Sequence, residues 1–231
     1  MAQTPEDRSS ACPTESGFVF FKQGVAMKIA IIGTGNVGGA LARAWARAGH
    51  RVFLGVRNLQ DQKVLALTAG ELLISAHTPA EAVRDAETVL FAIPPNALRQ
   101  VLDSLGDLKD KVLIDATNSI RTKAGDFASV ADALRSWTKS TDVVKCFNTT
   151  GFNVMENPKF GGVAADMFIA GSSSRAKEIA RQLALDAGFA ECYDLGGDER
   201  IPLLESLAGI WIDLAMVQGQ GRNIAFKLLK R

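Results

Sequence analysis

KIAIIGTGNVGGALARAWARAGHRVFLGVRN, residues 28–58, is the stretch that decides the fold. It opens with apolar and β-branched residues that suit a strand buried on both faces of a parallel sheet. A turn follows at Gly33-Thr34-Gly35-Asn36-Val37-Gly38, then a helical pattern over about 36–48 and a second strand at 52–55. Glycines at this spacing permit a tight turn and close approach to a pyrophosphate, and the helix N-terminus attracts that anion. We predict a dinucleotide-binding site here.

The end of the second predicted strand indicates which dinucleotide binds. NAD enzymes usually place Asp or Glu there to hold the ribose 2′-hydroxyl. This chain has Gly55-Val56-Arg57-Asn58 instead. The Arg57 guanidinium can make a charge-assisted contact with a 2′-phosphate, although a solvated loop arginine would show the same pattern. We predict NADP(H), with Asn58 beside the arginine as a further cofactor-binding candidate.

Composition limits the classes of binding partner and the cellular compartment that we expect. The net charge of +1, from 26 basic and 25 acidic residues, offers no basic face for a nucleic acid. No stretch reaches the roughly 18 apolar residues that cross a bilayer. The 3 cysteines have no CxxC spacing and predict neither a zinc site nor a disulfide framework. We expect a cytoplasmic protein with a small-molecule substrate and without nucleic-acid or membrane partners.

Three regions are predicted along the chain. Residues 1–26 are polar except for FVFF at 18–21, so we expect a disordered extension that adds nothing to the fold, with a small strand or arm at FVFF as the alternative. Residues 27–195 form the dinucleotide-binding domain. Residues 196–231 form a C-terminal helical cap and dimer region, because 201–217 is apolar on nearly every face and must be buried or shared with a second copy.

The pattern after the second strand alternates strands with helices. We predict strands at 71–75, 87–93, 111–115, 142–147, 165–171 and 189–194, and helices at 61–69, from Thr78-Pro79 onward, at 96–105 and at 175–187. Repeated alternation of this kind is typical of a Rossmann-type, doubly wound and mostly parallel α/β sheet.

Ligands of such sheets bind beyond the carboxyl ends of the strands, where the strand order reverses. Besides the glycine turn and Arg57, the residues predicted there are mostly small, amide or proline side chains: Ile93, Pro94, Pro95, Asn96, Thr117, Asn118, Asn148 and Thr149. Asn118 can exchange hydrogen bonds with a carboxamide, or it is an ordinary turn residue. Pro94 and Pro95 can cover a ring without hydrogen-bonding demands.

No catalytic acid or base is well placed in the predicted fold. His50 falls at the opposite end of the sheet, His77 is a loop residue near the adenine side, and Tyr193 lacks a lysine four residues on. Lys145 lies within a strand, where pairing with Asp115 explains its charge. Carbonyl reduction needs a proton donor, whereas hydride transfer between stacked rings does not. We therefore predict ring-to-ring hydride transfer with no catalytic side chain and no metal site.

Six stretches carry a resemblance to a known family: IAIIGTGNVGGALA, GVRN, AIPPNAL, VLIDATN, VVKCFNTTGFNVMENP and LLESLAGIWIDLAMVQGQGRNIAFKLL. They resemble the NADP-dependent oxidoreductases that act on the deazaflavin coenzyme F420, relatives of the reductase domains of STEAP metalloreductases. The resemblance implies that Thr34 and Arg57 hold the 2′-phosphate and that residues 33–38 hold the pyrophosphate. Val56 departs from the family, which commonly has a serine there.

The resemblance also implies roles for residues at the later strand ends. Ile93, Pro94 and Asn118 would lie along the cofactor, while Asn148 and Thr149 would lie near a ring-binding cleft closed by the C-terminal helices. The acceptor could be F420, FMN, FAD or a ferric chelate reduced through flavin. Two alternatives stay open: an imine or keto reductase of the pyrroline-carboxylate type, and a non-catalytic NADP(H)-binding redox sensor.

Overall fold

The computed structural model describes residues 25–231. The predictions made for residues 1–24, including the FVFF segment and Cys12, lie outside the described residues. Lys28 begins the first strand, as the sequence pattern predicts.

Six parallel strands form the central sheet, in the spatial order β3-β2-β1-β4-β5-β6. They are β1 (Lys28–Ile32), β2 (Arg51–Gly55), β3 (Ile74–His77), β4 (Thr88–Phe91), β5 (Val112–Asp115) and β6 (Val143–Lys145). The chain returns from β3 to pair β4 with β1, so the order reverses between β1 and β4. Crossovers bury both faces of a parallel sheet, and the predicted Rossmann-type α/β fold is confirmed.

In the described part of the chain, eight α-helices join and flank the strands: α1 (Asn36–Arg47), α2 (Gln62–Thr68), α3 (Pro79–Arg84), α4 (Leu98–Leu102), α5 (Val130–Thr138), α6 (Phe152–Glu156), α7 (Ser174–Asp186) and α8 (Ile201–Ile212). Strand β1 contributes side chains to the hydrophobic cores on both faces of the sheet. Ile29 and Ile31 belong to the core under α1, and Ala30 and Ile32 belong to the core on the other face. Thr78 caps α3 in a reciprocal capping box with Glu81.

Four shorter strands extend the domain: β7 (Lys159–Phe160), β8 (Val163–Ala164), β9 (Asp166–Ile169) and β10 (Glu191–Asp194). β7 and β8 form an antiparallel hairpin, and β9 pairs with β10 in parallel. An antiparallel bridge between Lys145 and Ala170 attaches the β9–β10 pair to the edge of the central sheet at β6.

Some predicted boundaries are wrong. The third strand is at Ile74–His77 rather than 71–75, and the sixth ends at Lys145 rather than 147. The predicted helix at 96–105 opens as a 3-10 turn and is α-helical only over Leu98–Leu102. Helix α5, helix α6 and the β7–β8 hairpin were not predicted.

The C-terminal region is helical only in its first part. After α8 the helix widens into a π-helical segment, Asp213–Val217, and residues 218–231 contain neither helix nor strand. The indole of Trp211 donates to the carbonyl of Ile224 at 2.7 Å, and the Lys227 ammonium lies 2.7 Å from the Asp166 carboxylate. These contacts hold the tail against β9. Within residues 25–231, no helix is both long and apolar enough to cross a membrane.

Candidate functional site

The glycine turn joins β1 to α1 at the point where the strand order reverses. Gly33 has φ +107°, and a Cβ there would lie 2.5 Å from the carbonyl oxygen of Ala92. A Cβ on Gly38 would collide with the carbonyl oxygen of Gly33. Gly35 differs, because a Cβ there would meet nothing within 4 Å. Gly33 and Gly38 are therefore required by packing, whereas Gly35 faces open space.

The first turn of α1 is left free to hold an anion. Its N-cap is Gly35, no side chain caps it, and the turn contains no acidic residue. Free N–H groups and the positive end of the helix dipole both favour a phosphate there. Space at Gly35 and an uncapped helix of 12 residues fit the pyrophosphate of a dinucleotide. Asn36 is exposed, while Thr34 and Val37 are half-buried beside the turn.

Arg57 follows β2 on the adenine side of the turn and is exposed. Within residues 25–231, no carboxylate lies within ion-pair distance of its guanidinium. Asn58 has a local role, since its Oδ1 accepts from the backbone N–H of Gln60 at 2.9 Å. Arg57 thus offers a free cation next to the turn, and Asn58 shapes the loop that presents it.

The end of β4 lies against the glycine turn. The backbone N–H of Ala92 donates to the carbonyl of Ile32, and the Ile93 side chain lies 2.8 Å from the position of a Cβ on Gly33. Pro94 is exposed and Pro95 is buried at the start of the 3-10 turn. Ile93 and Pro94 can therefore contact a ligand in the crevice, whereas Pro95 packs inward.

A buried ion pair joins the ends of β5 and β6. The Lys145 ammonium lies 2.9 Å from Asp115 Oδ2, with both side chains at 0% exposure, and the predicted pairing is confirmed. Asp115 also accepts from the Thr117 N–H, the Thr117 hydroxyl and the Ala131 N–H. Lys145 donates to the carbonyl of Thr117 at 2.9 Å. The pair pins the β5 loop, so neither group is available to trade protons with a substrate.

Glu205 is the residue at this edge that sequence reasoning missed. It comes from α8, and its carboxylate lies 2.8 Å from the Lys145 ammonium and accepts from the Ser119 N–H at 3.1 Å. Burial alone would lower the pKa of Lys145, but Asp115 and Glu205 more than offset it, so the pKa is raised above its ordinary value. The sequence did contain a signal for this ion pair, because a carboxylate within an apolar helix needs a partner.

The two predicted asparagines lie at the same edge, and Thr149 points elsewhere. Asn148 is 3% exposed and its amide donates to the carbonyl of Leu204 at 3.3 Å. Asn118 is half-buried beside Ser119. The Thr149 hydroxyl contacts the Met167 sulfur at 3.6 Å, so it packs toward β9. The structure therefore brings Asn118 and Asn148 to the C-terminal cap but turns Thr149 away from the crevice.

The histidines have structural contacts. The Met27 N–H donates to Nδ1 of His50 at 3.1 Å, and Nε2 of the same ring lies 3.0 Å from the Asp186 carboxylate. His50 is thus at the amino ends of the strands, as predicted. His77 Nε2 lies 2.8 Å from the Ser75 hydroxyl. Neither ring faces the ends of β5 and β6.

The two cysteines among the described residues offer no nucleophile. Cys146 and Cys192 are buried and free, and burial, with Cys192 beside it, raises the pKa of Cys146 well above its ordinary value. Among the described residues, no group of three or more His, Cys, Asp and Glu side chains could hold a metal ion.

Residues 28–119 match the model of a family described as NADP oxidoreductase, coenzyme F420-dependent. The predicted resemblance is confirmed. The match covers the glycine turn, Arg57 and Asn118, but less than half of the chain. The binding roles assigned above to individual residues stay predictions.

Curated relatives point to the same enzyme class. The glycerol-3-phosphate dehydrogenase [NAD(P)+] of Leuconostoc citreum is 27% identical over 88% of this chain and 65% of its own length. The enzyme of the same name from Corynebacterium jeikeium is 26% identical over 89% of this chain and 65% of its own length. The chain thus spans slightly under two thirds of these relatives. The predicted class, an NAD(P)-dependent oxidoreductase, is that of the matched family and of these enzymes.

Solved structures share the fold. A protein of Arthrobacter sp. FB24, described as a candidate F420-dependent NADP reductase, superimposes with a TM-score of 0.77 at 25% identity and covers 89% of this chain and 100% of that one. A reductive aminase of Aspergillus terreus, solved with NADPH and ethyl-5-oxohexanoate, superimposes with a TM-score of 0.62 at 19% identity. The match covers 84% of this chain and 63% of the aminase. The second likeness concerns the fold alone.

Proposed function

We propose that this protein is an NADPH-dependent oxidoreductase that passes hydride from NADPH to a deazaflavin, F420, or to a flavin such as FMN or FAD. One observation carries the proposal: the crevice has a free cation and an uncapped helix for NADP(H), while the buried charged groups Asp115 and Lys145, with Glu205 from α8, are held in ion pairs at the ends of β5 and β6. A site without a free proton donor suits transfer between two rings.

The residues divide the work along the crevice. The first turn of α1 binds the pyrophosphate and Arg57 binds the 2′-phosphate, while Thr34 supports that end. Ile93, Pro94 and Asn118 orient the nicotinamide half. The bound reduced nicotinamide supplies the hydride. Asn148 and the start of α8 line the side from which the acceptor ring approaches, so the protein acts chiefly by alignment and exclusion of water.

A panel of acceptors tests the proposal. NADPH oxidation by the purified protein is followed with F420, FMN, FAD, a ferric chelate, a cyclic imine and a keto acid. We expect turnover with F420 or a free flavin. Turnover with the imine or keto acid alone would replace the proposal with a carbonyl- or imine-type reductase. Binding of NADPH with no turnover on any acceptor would favour a redox sensor.

Arg57→Ala should weaken NADPH binding by about 10- to 150-fold and leave NADH binding nearly unchanged, because a charge-assisted contact contributes roughly 1.5–3 kcal/mol. Titration calorimetry with both cofactors measures the effect. Arg51→Ala, which removes an exposed arginine from the amino end of β2, is the matched control and should change neither affinity. Equal losses for NADPH and NADH in Arg57→Ala would exclude a 2′-phosphate contact.

Replacing His50 and His77 together with Gln should leave turnover within about threefold, because neither ring reaches the ends of β5 and β6. Loss of a true proton donor typically costs about 100-fold or more. The melting temperature and NADPH affinity are measured alongside. A double variant that is folded, binds NADPH and is inactive would contradict hydride transfer without a side-chain acid.

We also propose a cytoplasmic homodimer. Leu203, Ile210, Leu214 and Val217 expose apolar side chains along α8 and its π-helical continuation, and a second copy would cover them. Sedimentation of the purified protein tests the dimer. The buried free thiols of Cys146 and Cys192 suit a reducing compartment.

A further inference from the structure

Within residues 25–231, three buried polar atoms at the ends of β5 and β6 have neither a hydrogen-bond partner nor an ion pair: Asn118 Oδ1, Ser119 Oγ and Asn148 Oδ1. A fourth atom without a hydrogen bond, Glu205 Oε1, lies 2.8 Å from the Lys145 ammonium. An unpaired buried acceptor is costly, and a native fold usually keeps one where a water, an ion or a ligand supplies the donor. The first turn of α8 contacts two of these residues, because the Ser119 backbone N–H donates to Glu205 and the Asn148 amide donates to the Leu204 carbonyl, and Asn118 directly precedes Ser119 in the chain. We call these three atoms the acceptor cluster, because each can accept a hydrogen bond; the name does not refer to the hydride acceptor.

The direction of the Asn148 amide follows from its one partner. The carbonyl of Leu204 can only accept, so the NH2 group of Asn148 faces it and Oδ1 is the atom left free. The preceding residue, Phe147, is fully buried, has φ +63° and packs edge-on against Trp45. Few bulky residues adopt that conformation, and here packing holds it. Asn148 is therefore held in one orientation, with its Oδ1 free to accept a hydrogen bond.

The charges around the acceptor cluster disfavour an anion. Asp115 and Lys145 already form a neutral pair, in which Asp115 accepts from four donors. Glu205 adds one more carboxylate to this pair, with a side chain that is 15% exposed. The part of a ligand that meets these atoms beside an excess negative charge is favoured when it offers an N–H group and is itself uncharged.

We infer that Asn148 Oδ1 accepts a hydrogen bond from the imide N–H of the acceptor ring. The pyrimidinedione edge of flavins and deazaflavins carries such an N–H between two carbonyls. This inference rests on the proposed function and narrows it, since keto acids and anionic ferric chelates offer no N–H and are repelled. Asn148 is thereby a specificity-determining residue for the hydride acceptor.

Riboflavin and 3-methylriboflavin, which lacks only the imide proton, provide the test. Both are assayed with NADPH for kcat/KM, and their binding to the NADP+ complex is followed by quenching of flavin fluorescence. The wild-type protein should prefer riboflavin by about 3- to 10-fold in both measurements. Asn148→Leu and Asn148→Ala should lose this preference, so that at least one folded variant reports the contact.

Ser140→Ala is the matched control, because Ser140 is 2% exposed and bonds the carbonyl of Lys111 far from the cluster. It should keep the wild-type preference. Wild-type protein that reduces both flavins equally well would overturn the inference and leave the proposed function standing. Wild-type protein that neither binds nor reduces riboflavin or F420 would overturn both. If the Asn148 variants instead lose discrimination between NADPH and its 3-acetylpyridine analogue, the amide serves the cofactor and the inference is wrong.

Discussion

Gly35→Val should abolish NADPH binding, with a loss of more than about 100-fold in affinity, while the protein keeps its melting temperature. Gly35 has φ −71° and ψ −166°, an extended conformation that valine adopts readily, and a Cβ there meets nothing within 4 Å. The added side chain would instead occupy the space in front of α1 that a pyrophosphate needs. Losing two charge-assisted contacts of about 1.5–3 kcal/mol each accounts for the size of the effect.

Gly38→Ala is the informative comparison for this variant. Its Cβ would collide with the carbonyl oxygen of Gly33 inside the turn. Overpacking of this kind costs about 1–3 kcal/mol, or roughly 2–12 °C in melting temperature for a chain of this size. Fluorescence titration with NADPH and thermal unfolding therefore separate the two glycines. Normal NADPH binding by Gly35→Val would show that the dinucleotide does not cross the turn.

The fold was predictable because its signals are local. The apolar run of β1, the glycine turn and the helical pattern of α1 lie within one continuous stretch, and glycine chemistry fixes the turn by itself. Thr78 and Pro79 likewise mark the start of α3 through a cap that involves only neighbouring residues. Each such element can be placed before any tertiary contact is known.

The cap of the site was not predictable for the opposite reason. Glu205 meets Lys145 only because α8 folds back over the ends of β5 and β6. The basic amphipathic pattern of residues 222–231 favours a helix, yet the carbonyl of Ile224 accepts from Trp211 and Thr150, and Lys227 pairs with Asp166. Those distant partners override the local preference, since intrinsic helix propensity is a weak determinant. Only the packed structure shows which acceptors remain free.

Lys145→Ala should destabilise the protein by about 3–5 kcal/mol, because removal of one member of a buried ion pair leaves uncompensated charge behind. For a chain of this size that corresponds to a fall of roughly 6–20 °C in melting temperature. Asp115 would keep its three other donors but lose its only cation, and Glu205 would lose its anchor on β6. Thermal and denaturant unfolding both measure the change.

Lys177→Ala supplies the surface counterpart, because Lys177 pairs with Asp194 at 2.8 Å while the Asp194 side chain is 46% exposed. Exposed pairs contribute about 1 kcal/mol or less, so this variant should melt within a few degrees of the wild type.

The Lys145→Met/Asp115→Asn double variant should recover part of the loss, since neutral groups of similar size replace the buried charges. The raised pKa of Lys145 means that its stabilisation is complete below the unfolded value of about 10.4 and is lost only as the pH rises beyond it. A Lys145→Ala protein as stable as Lys177→Ala at neutral pH would show that the pair does not hold the ends of β5 and β6, and with them α8, in place.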